Sequence, residues 1–361
     1  MNYLIYAQRD ATIYESSASM NTGVDELLEV DKLITTSGRN YNSRILMKFD
    51  LTSISSSIVA GDITDPKFYL NLSVTDAYEI PAEHTLYIYP VSGSWNMGIG
   101  KYNYDPGVEE GVSWKYRLGY NDGTKWSTGS FQTTETGSYS VIAGGGNWYT
   151  GSYASQSYTF ESNDMRADVT DIVNAWLDGT YTNDGFIIKR LDSDEASTTE
   201  FGSIKYFSTE THTIYVPKLE TVWDDSSWAT GSLTELTDED IVVYTKGLRE
   251  EYVENSKIKL RVYGRAKYPT RTYSTSSNYS TVKYLPSSSY YEVRDAYTEE
   301  VIVPFDTSYT KLSCDSTGNY LRFWTDGLQV SRFYKFVFRV DREGGDRIDY
   351  YDDDYVFKII K

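Results

Sequence analysis

Cysteine and histidine are scarce in this chain. Among its 361 residues it has one cysteine, Cys314, and two histidines, His84 and His212. A single cysteine excludes an intramolecular disulfide and a zinc site built from several thiolates. Two histidines are too few for a three-histidine zinc site, and they leave little material for a nucleophile paired with a histidine base. We therefore expect no enzyme activity, no metal site and no cofactor.

Long apolar runs and positive charge are also in short supply. No stretch approaches the roughly 18 apolar residues of a membrane span, and the opening residues, MNYLIY, lack the basic and long apolar regions of a secretory signal. The 34 Lys and Arg face 52 Asp and Glu, which gives a net charge of −18. Because an acidic surface repels phosphate backbones, we expect no general nucleic-acid binding, and any DNA contact would be local. We expect no membrane partner, and synthesis in a reducing cytoplasm.

Aromatic residues are abundant instead. The chain has 35 Tyr, 8 Trp and 13 Phe, together 16% of its residues. Tyrosine favours β-strands and interfaces, because it combines a large stiff ring with one hydroxyl. A carbohydrate-binding surface and a protein assembly surface both have this composition, so composition does not choose between them.

Short strand-like segments recur along the chain between clusters of Gly, Ser, Asn and Asp, which is typical of sandwiches and barrels. Examples are residues 44–51, 67–74, 85–91, 241–244, 256–263, 320–324 and 333–340. Apolar and polar residues alternate strictly in 67–74 and 85–91, which predicts one buried and one solvated face. Residues 92–162 are rich in Gly, Ser, Tyr and Trp, and we expect long loops with short strands there.

One segment departs from the β pattern. In residues 168–179 the apolar positions recur at helical spacing, and the segment ends at Gly179, which suits the left-handed position after a helix. These apolar positions are Val169, Ile172, Val173, Trp176 and Leu177. Asp168 is in place to cap the helix start. We predict a short structural helix that closes one end of a sandwich.

Charge divides the chain into two parts. Residues 1–225 carry 15 basic and 31 acidic side chains, a net −16, whereas residues 226–361 carry 19 and 21, a net −2. Polar residues interrupt the strand pattern over 223–238, at the same place. Unequal charge between halves favours two domains with different surroundings, so we predict domains at 1–225 and 226–361.

Several segments of the first part occur in the order of a known domain family. They are DATI at 10–13 followed by NTG at 21–23, SRILMKFDL at 43–51, VSGSW at 91–95, and the predicted helix running into NDGFIIK at 183–189. Over residues 7–222 the chain thus resembles the DNRLRE (disaggregatase-related) domain, a β-sandwich of wall-anchored and polysaccharide-active proteins. Trp114 departs from the family pattern because it follows a longer insertion, and the loops of 115–165 are longer.

The second part resembles another group of proteins. Residues 268–274 (YPTRTYS) and 283–291 (KYLPSSSYY) are similar to the C-terminal part of structural proteins of tailed bacteriophages. That resemblance implies a virion component of a neck, tail or ring layer, made in the bacterial host cytoplasm. Its expected partners are other virion proteins and further copies of itself, as a homo-oligomer in a ring.

Pattern and resemblance together predict an all-β protein. The N-terminal domain is expected to be a jelly-roll-like β-sandwich with one short helix. The smaller C-terminal domain is expected to be a second β-sandwich, immunoglobulin-like or similar, that serves assembly.

Six aromatic residues of the loop-rich segment are candidate contact residues for glycan or protein. They are Trp95, Trp114, Trp126, Trp148, Tyr102 and Tyr120. An alternative interpretation is that Trp95 and Trp114 pack inside the domain. In the second part Lys267, Arg271, Lys283 and Arg294 lie near tyrosines and would face an acidic neighbouring subunit, or are ordinary outward strand charges.

We therefore expect a non-enzymatic structural protein of a tailed-bacteriophage virion, which assembles through tyrosine-rich loops and its C-terminal domain. The alternative is a carbohydrate-binding module protein that contacts cell-surface glycan. A hydrolase with two catalytic carboxylates is disfavoured, since spacing in a β-sandwich sequence does not place a pair at catalytic separation.

Overall fold

The structure, a computed structural model, describes residues 1–34, 40–102, 110–119, 123–126, 144–159, 164–237, 240–269 and 281–361. Within these ranges the protein is built mainly from strands, with three short α-helices. The predicted all-β class is therefore confirmed. None of the helices in the described ranges has the length and apolar character that crossing a membrane requires.

The chain forms two compact units. The larger unit comprises Ile5–Ser57 and Lys67–Glu220, and the smaller unit comprises Met1–Leu4, Ile58–Pro66 and Thr221–Lys361. The division near residue 220 lies close to the predicted boundary at 225, but two segments that we assigned to the first domain belong to the smaller unit. The reason is visible at the chain start, where Trp223 N donates a hydrogen bond to Met1 O (3.1 Å) and the Tyr3 ring meets the Trp324 ring edge-on at 5.7 Å.

An eleven-stranded sheet dominates the larger unit. Its strands are β1 (Asn2–Tyr14), β2 (Leu27–Ile34), β3 (Asn40–Phe49), β4 (Lys67–Leu72), β5 (Val74–Tyr78), β6 (His84–Pro90), β9 (Ala154–Tyr158), β10 (Met165–Asp168), β11 (Phe186–Lys189), β12 (Gly202–Phe207) and β13 (Lys218–Val222). Two short strands, β7 (Tyr116–Leu118) and β8 (Thr124–Lys125), pair with each other. The main path runs β10-β4-β13-β1-β3-β11-β6-β9.

Strand β3 pairs with strands of both branches of this sheet. Its residues 43–49 pair with β1, while Asn40–Asn42 pair with β2, from which β12 and β5 continue. In β4 the alternating residues Phe68, Leu70 and Leu72 are buried, as the pattern predicted. All four residues of β11 are buried, because this strand lies between β3 and β6.

The helices are α1 (Thr52–Val59), α2 (Thr170–Leu177) and α3 (Asp192–Ala196). Helix α2 is the predicted one; it is shorter than 168–179, and its Ile172, Val173 and Trp176 are buried. Helices α1 and α3 were not predicted, so the expectation of one short helix was wrong in number. Each has a single buried side chain, Ile54 or Glu195, and therefore shows no repeating apolar face in the sequence.

The smaller unit contains two sheets. Their strands are β14 (Thr234–Glu235), β15 (Ile241–Lys246), β16 (Glu251–Val253), β17 (Lys257–Ala266), β18 (Lys283–Tyr284), β19 (Ser289–Asp295), β20 (Val301–Val303), β21 (Ser313–Asp315), β22 (Gly318–Trp324), β23 (Phe333–Arg342) and β24 (Arg347–Ile360). One sheet has the order β14-β18-β17-β22-β21, with β15 also paired to β17, and the other has the order β16-β24-β23-β19-β20.

The core of the smaller unit is apolar and rich in aromatic rings. Alternate residues of both sheets contribute to it, among them Leu260, Phe323, Phe336 and Phe357. The Phe336 ring lies 4.9 Å from that of Phe357 and 5.6 Å from that of Phe323. Since residues from both sheets meet in one apolar cluster, this unit is the second sandwich that the strand pattern predicted.

Candidate functional site

The four tryptophans predicted as contact residues are buried. Trp95, Trp114, Trp126 and Trp148 are each at most 2% exposed and belong to one apolar cluster of the larger unit. The indole N–H of Trp95 donates to Asp184 O at 2.8 Å, and that of Trp126 donates to Ser113 O at 3.0 Å. Their rings offer no open face to a sugar, which corrects the expected stacking platform and agrees with the packing interpretation of Trp95 and Trp114.

The two tyrosines predicted with them have different positions. Tyr102 is exposed, and its ring meets that of Tyr14 edge-on at 5.2 Å. Tyr120 lies outside the described residues. The four buried tryptophans and the exposed Tyr102 therefore do not form one site.

Two of the buried tryptophans enclose a charge. The Arg44 guanidinium lies 4.7 Å from the centre of the Trp114 ring and 5.2 Å from that of Trp148, in cation–π contact. Its Nη1 donates to Gly145 O at 2.5 Å. Gly145 has a φ of 81°, and a Cβ there would lie 2.6 Å from Arg44 Nη1 and 2.8 Å from the Trp114 ring, so only glycine fits.

A buried carboxylate pairs with this guanidinium. Arg44 donates two hydrogen bonds to Glu195, at 3.1 and 2.5 Å, and Lys189 Nζ lies 3.2 Å from Glu195 Oε2. Burial alone would raise the pKa of Glu195, but the two cations outweigh it and hold that pKa below its ordinary value. All three side chains are at most 3% exposed, so this cluster supports the fold and is closed to ligands.

Sequence reasoning missed an aromatic surface on β6. Tyr87, Tyr89 and Tyr153 lie with ring centres 5.7 to 6.4 Å apart, and Tyr153 is 57% exposed. The alternation in β6 that predicted a solvated face already placed Tyr87 and Tyr89 on it. Burial, followed by the charge of Asp192, raises the pKa of Tyr89 to about 12, so this phenol stays neutral.

The most unusual surface lies on the smaller unit. We call the outward side of β15, β17 and β22 the basic face; its cations are Lys246, Lys257, Lys259, Arg261, Arg265 and Arg322. In the strand register Lys259 lies opposite Arg322, and Lys246 lies opposite Arg261. Like charges directly opposite each other on paired strands destabilise a sheet.

Aromatic rings lie beneath these cations. Lys259 Nζ is 3.9 Å from the centre of the Tyr320 ring, and Lys257 Nζ is 4.7 Å from that of Trp324. Arg261 and Arg322 also approach the Tyr320 ring, at 5.2 and 5.7 Å. Tyr320 is 5% exposed, whereas Tyr244 on β15 is 39% exposed and stacks against the Tyr263 ring, so this surface presents cations together with a partly open aromatic ring.

Three carboxylates, Asp315, Asp225 and Asp62, offset part of the basic face, and Asp315 lies 3.5 Å from Lys259 Nζ. Asp315 accepts two hydrogen bonds from Arg261, at 2.7 and 2.8 Å, and these bonds hold the pKa of Asp315 well below its ordinary value. Asp225 lies 3.9 Å from Arg322, and Asp62 lies 3.9 Å from Lys257. Within the described ranges Lys246 and Arg265 form no ion pair.

The cations predicted to face a neighbouring subunit are only partly on this surface. Lys283 lies on β18 of the same sheet, and Lys267 directly follows β17. Arg294 lies on the other sheet, paired with Glu292, and Arg271 is outside the described residues. The alternation KIKLRVYGR in β17 was the signal for the basic face, since it places every second residue on one side.

No family model matches the chain, and the search of the curated proteins finds no match. No group of three or more His, Cys, Asp or Glu side chains is arranged to hold a metal ion in the part of the chain that the structure describes.

Proposed function

We propose that this chain is a non-enzymatic structural subunit that assembles with other protein subunits through its smaller unit. The sequence resemblance suggests the kind of particle, a tailed-bacteriophage virion, with the chain in a neck, tail or ring layer. The observation that carries the proposal is the basic face, where two pairs of cations lie directly opposite each other on neighbouring strands.

Such pairs reduce the stability of the isolated sheet. Like charges opposite each other are destabilising by an amount comparable to the roughly 0.2–1 kcal/mol that a favourable cross-strand pair contributes. Sites where a fold departs from its own stability rules are typical of functional surfaces. An acidic partner surface would neutralise these cations, so the arrangement favours a protein that acts when assembled.

Glycan binding is the less favoured function. The tryptophans proposed for it are buried, and the Tyr320 and Trp324 rings of the basic face lie under cations. Nucleic acid is also disfavoured, because the chain as a whole carries a net charge of −18 and repels phosphate at long range.

The proposal is tested by locating the chain. Particles from an infected culture are banded on a density gradient and probed with antibody against the purified full-length protein. We expect the chain in the particle band, and electron microscopy of antibody-labelled particles should place it in one layer. If the chain occurs only outside particles and binds oligosaccharides on a glycan array, the structural proposal is wrong.

A further inference from the structure

The larger unit carries a surface of opposite charge to the basic face. We call the outward side of β2, β5 and β12 the acidic face; Glu29 and Asp31 lie on β2, and Asp76 lies on β5. One cation, Lys205 on β12, stands between Glu29 and Asp76 in the register, with its Nζ 2.6 Å from Glu29. The alternate residues Leu28, Val30, Ile204 and Tyr206 are buried on the other side.

Further carboxylates flank this face. Glu26 precedes β2, Glu79 follows β5 and Glu200 precedes β12, and all three are exposed. Asp31 itself is buried, and burial, followed by the neighbouring charge of Glu29, raises its pKa to about 6, so the outward charge of this face comes mainly from Asp76 and the flanking carboxylates. Lys205, which pairs with Glu29, and Lys101, which pairs with Glu26, offset only part of this charge, so the acidic face keeps excess negative charge.

We infer that the basic face of one copy binds the acidic face of a second copy, so that copies of this chain join head to tail. The inference rests on the proposed function, for which it names the partner. Contact between two identical faces would oppose cation to cation or carboxylate to carboxylate, so a two-fold symmetric contact through either face is disfavoured. A head-to-tail contact pairs opposite charges, and repeated contacts of this kind form a ring when the rotation closes.

Charge reversal tests the pairing. The basic-face variant carries Lys259→Glu and Arg322→Glu, and the acidic-face variant carries Asp76→Lys and Glu79→Lys. Wild-type protein should form oligomers at low ionic strength in analytical ultracentrifugation, and salt should weaken them because it screens surface charge. Each variant alone should stay monomeric, with its self-association weakened at least tenfold.

Mixing the variants gives the decisive result. In an equimolar mixture every contact pairs opposite charges again, so the mixture should form oligomers although neither component does. A chain with all four substitutions should also assemble by itself. The control carries Lys125→Glu and Lys361→Glu, two exposed positions outside both faces, and should assemble like wild type despite the same change in net charge as in the basic-face variant. Circular dichroism of each variant checks that it is folded.

Other outcomes separate the inference from the proposed function. Wild-type protein that stays monomeric at low ionic strength, or variants that assemble like wild type, would show the inference wrong, whereas detection of the chain in particles would still support the structural function. If the basic-face variant loses binding to a DNA duplex that wild-type protein and the acidic-face variant retain, the basic face binds nucleic acid and the inference is wrong.

Discussion

The larger unit buries whole ion clusters, whereas the smaller unit leaves its ion pairs partly open to solvent. Arg44, Lys189 and Glu195 in the larger unit are each at most 3% exposed. In the smaller unit Glu292 is buried, but its partner Arg294 is 31% exposed. The larger unit thus links segments far apart in the sequence through a buried carboxylate. The smaller unit relies on its aromatic core, and its ion pairs remain partly open to solvent.

The largest expected effect tests the buried ion cluster of the larger unit at Glu195. Substitution Glu195→Ala removes the carboxylate and leaves Arg44 and Lys189 buried without a counter-charge. Removing one partner of a buried ion pair costs about 3–5 kcal/mol, and we expect that loss in the free energy of unfolding measured with urea. Asp192→Asn is the control: Asp192 also pairs with Lys189, but it is 56% exposed, so its loss should be small. A loss below about 1 kcal/mol for Glu195→Ala would contradict the assigned role.

A loss of stability of similar size is expected in the smaller unit from a substitution that changes no charged residue. Phe336 is fully buried among Phe323, Phe357 and Tyr291. Truncation of a buried phenylalanine costs about 3–5 kcal/mol, so Phe336→Ala should unfold the smaller unit first. Hydrogen exchange should show lost protection in β17, β22 and β23, with β3 and β11 of the larger unit unchanged. Equal loss in both units would show that they do not differ as described.

A buried acid of the larger unit makes the stability of the protein depend on pH. Asp10 is 1% exposed, and burial raises its pKa to about 7 although Thr209 donates two hydrogen bonds to it. The folded state therefore keeps a proton that the unfolded state loses near pH 4, and stability falls as pH rises from about 4 to 7. Asp10→Asn removes this dependence. The stability of the variant relative to wild type should rise by up to about 4 kcal/mol across that range; a constant difference would mean that Asp10 titrates normally.

Asp315 in the smaller unit should respond in the opposite direction. Hydrogen bonds from Arg261 hold its pKa well below the ordinary value, so the stability that it contributes is present at neutral pH and is lost as pH falls below about 4. Asp315→Asn should therefore lower stability at pH 7 and have less effect at pH 2. Thermal unfolding of the variant and wild type at the two pH values measures this difference.

The smallest expected effect is a gain in the stability of the smaller unit. Lys246→Thr removes one of two cations that lie directly opposite each other, and Lys246 forms no ion pair within the described ranges, so the smaller unit should become more stable by about 0.2–1 kcal/mol. The same variant should assemble less well than wild type. A stability gain with weaker assembly is what a surface shaped for a partner predicts. Lys125→Thr, at an exposed position outside the face, should change neither.

The alternation of apolar and polar residues was the most informative signal in the sequence. It placed β4 and β6, since one face of each strand packs on a core. The helical spacing of Ile172, Val173 and Trp176 likewise identified α2. Helix α3 was missed because its one buried residue, Glu195, is charged, and sequence alone does not show that Arg44 and Lys189 lie next to it. The sequence left the burial of Trp114 as one of two interpretations, because its partners, Arg44 and Gly145, are far away in the chain.

The membership of Met1–Leu4 and Ile58–Pro66 in the smaller unit has a consequence for biosynthesis. Met1 is hydrogen-bonded to Trp223, 222 residues later. At about 5–20 residues per second, a ribosome needs on the order of ten seconds or more to make the intervening chain. The first segment of the smaller unit, Met1–Leu4, is therefore synthesised well before its last segment, Thr221–Lys361, and the whole larger unit is synthesised before that last segment. For the same reason no single cut of the chain releases either unit whole.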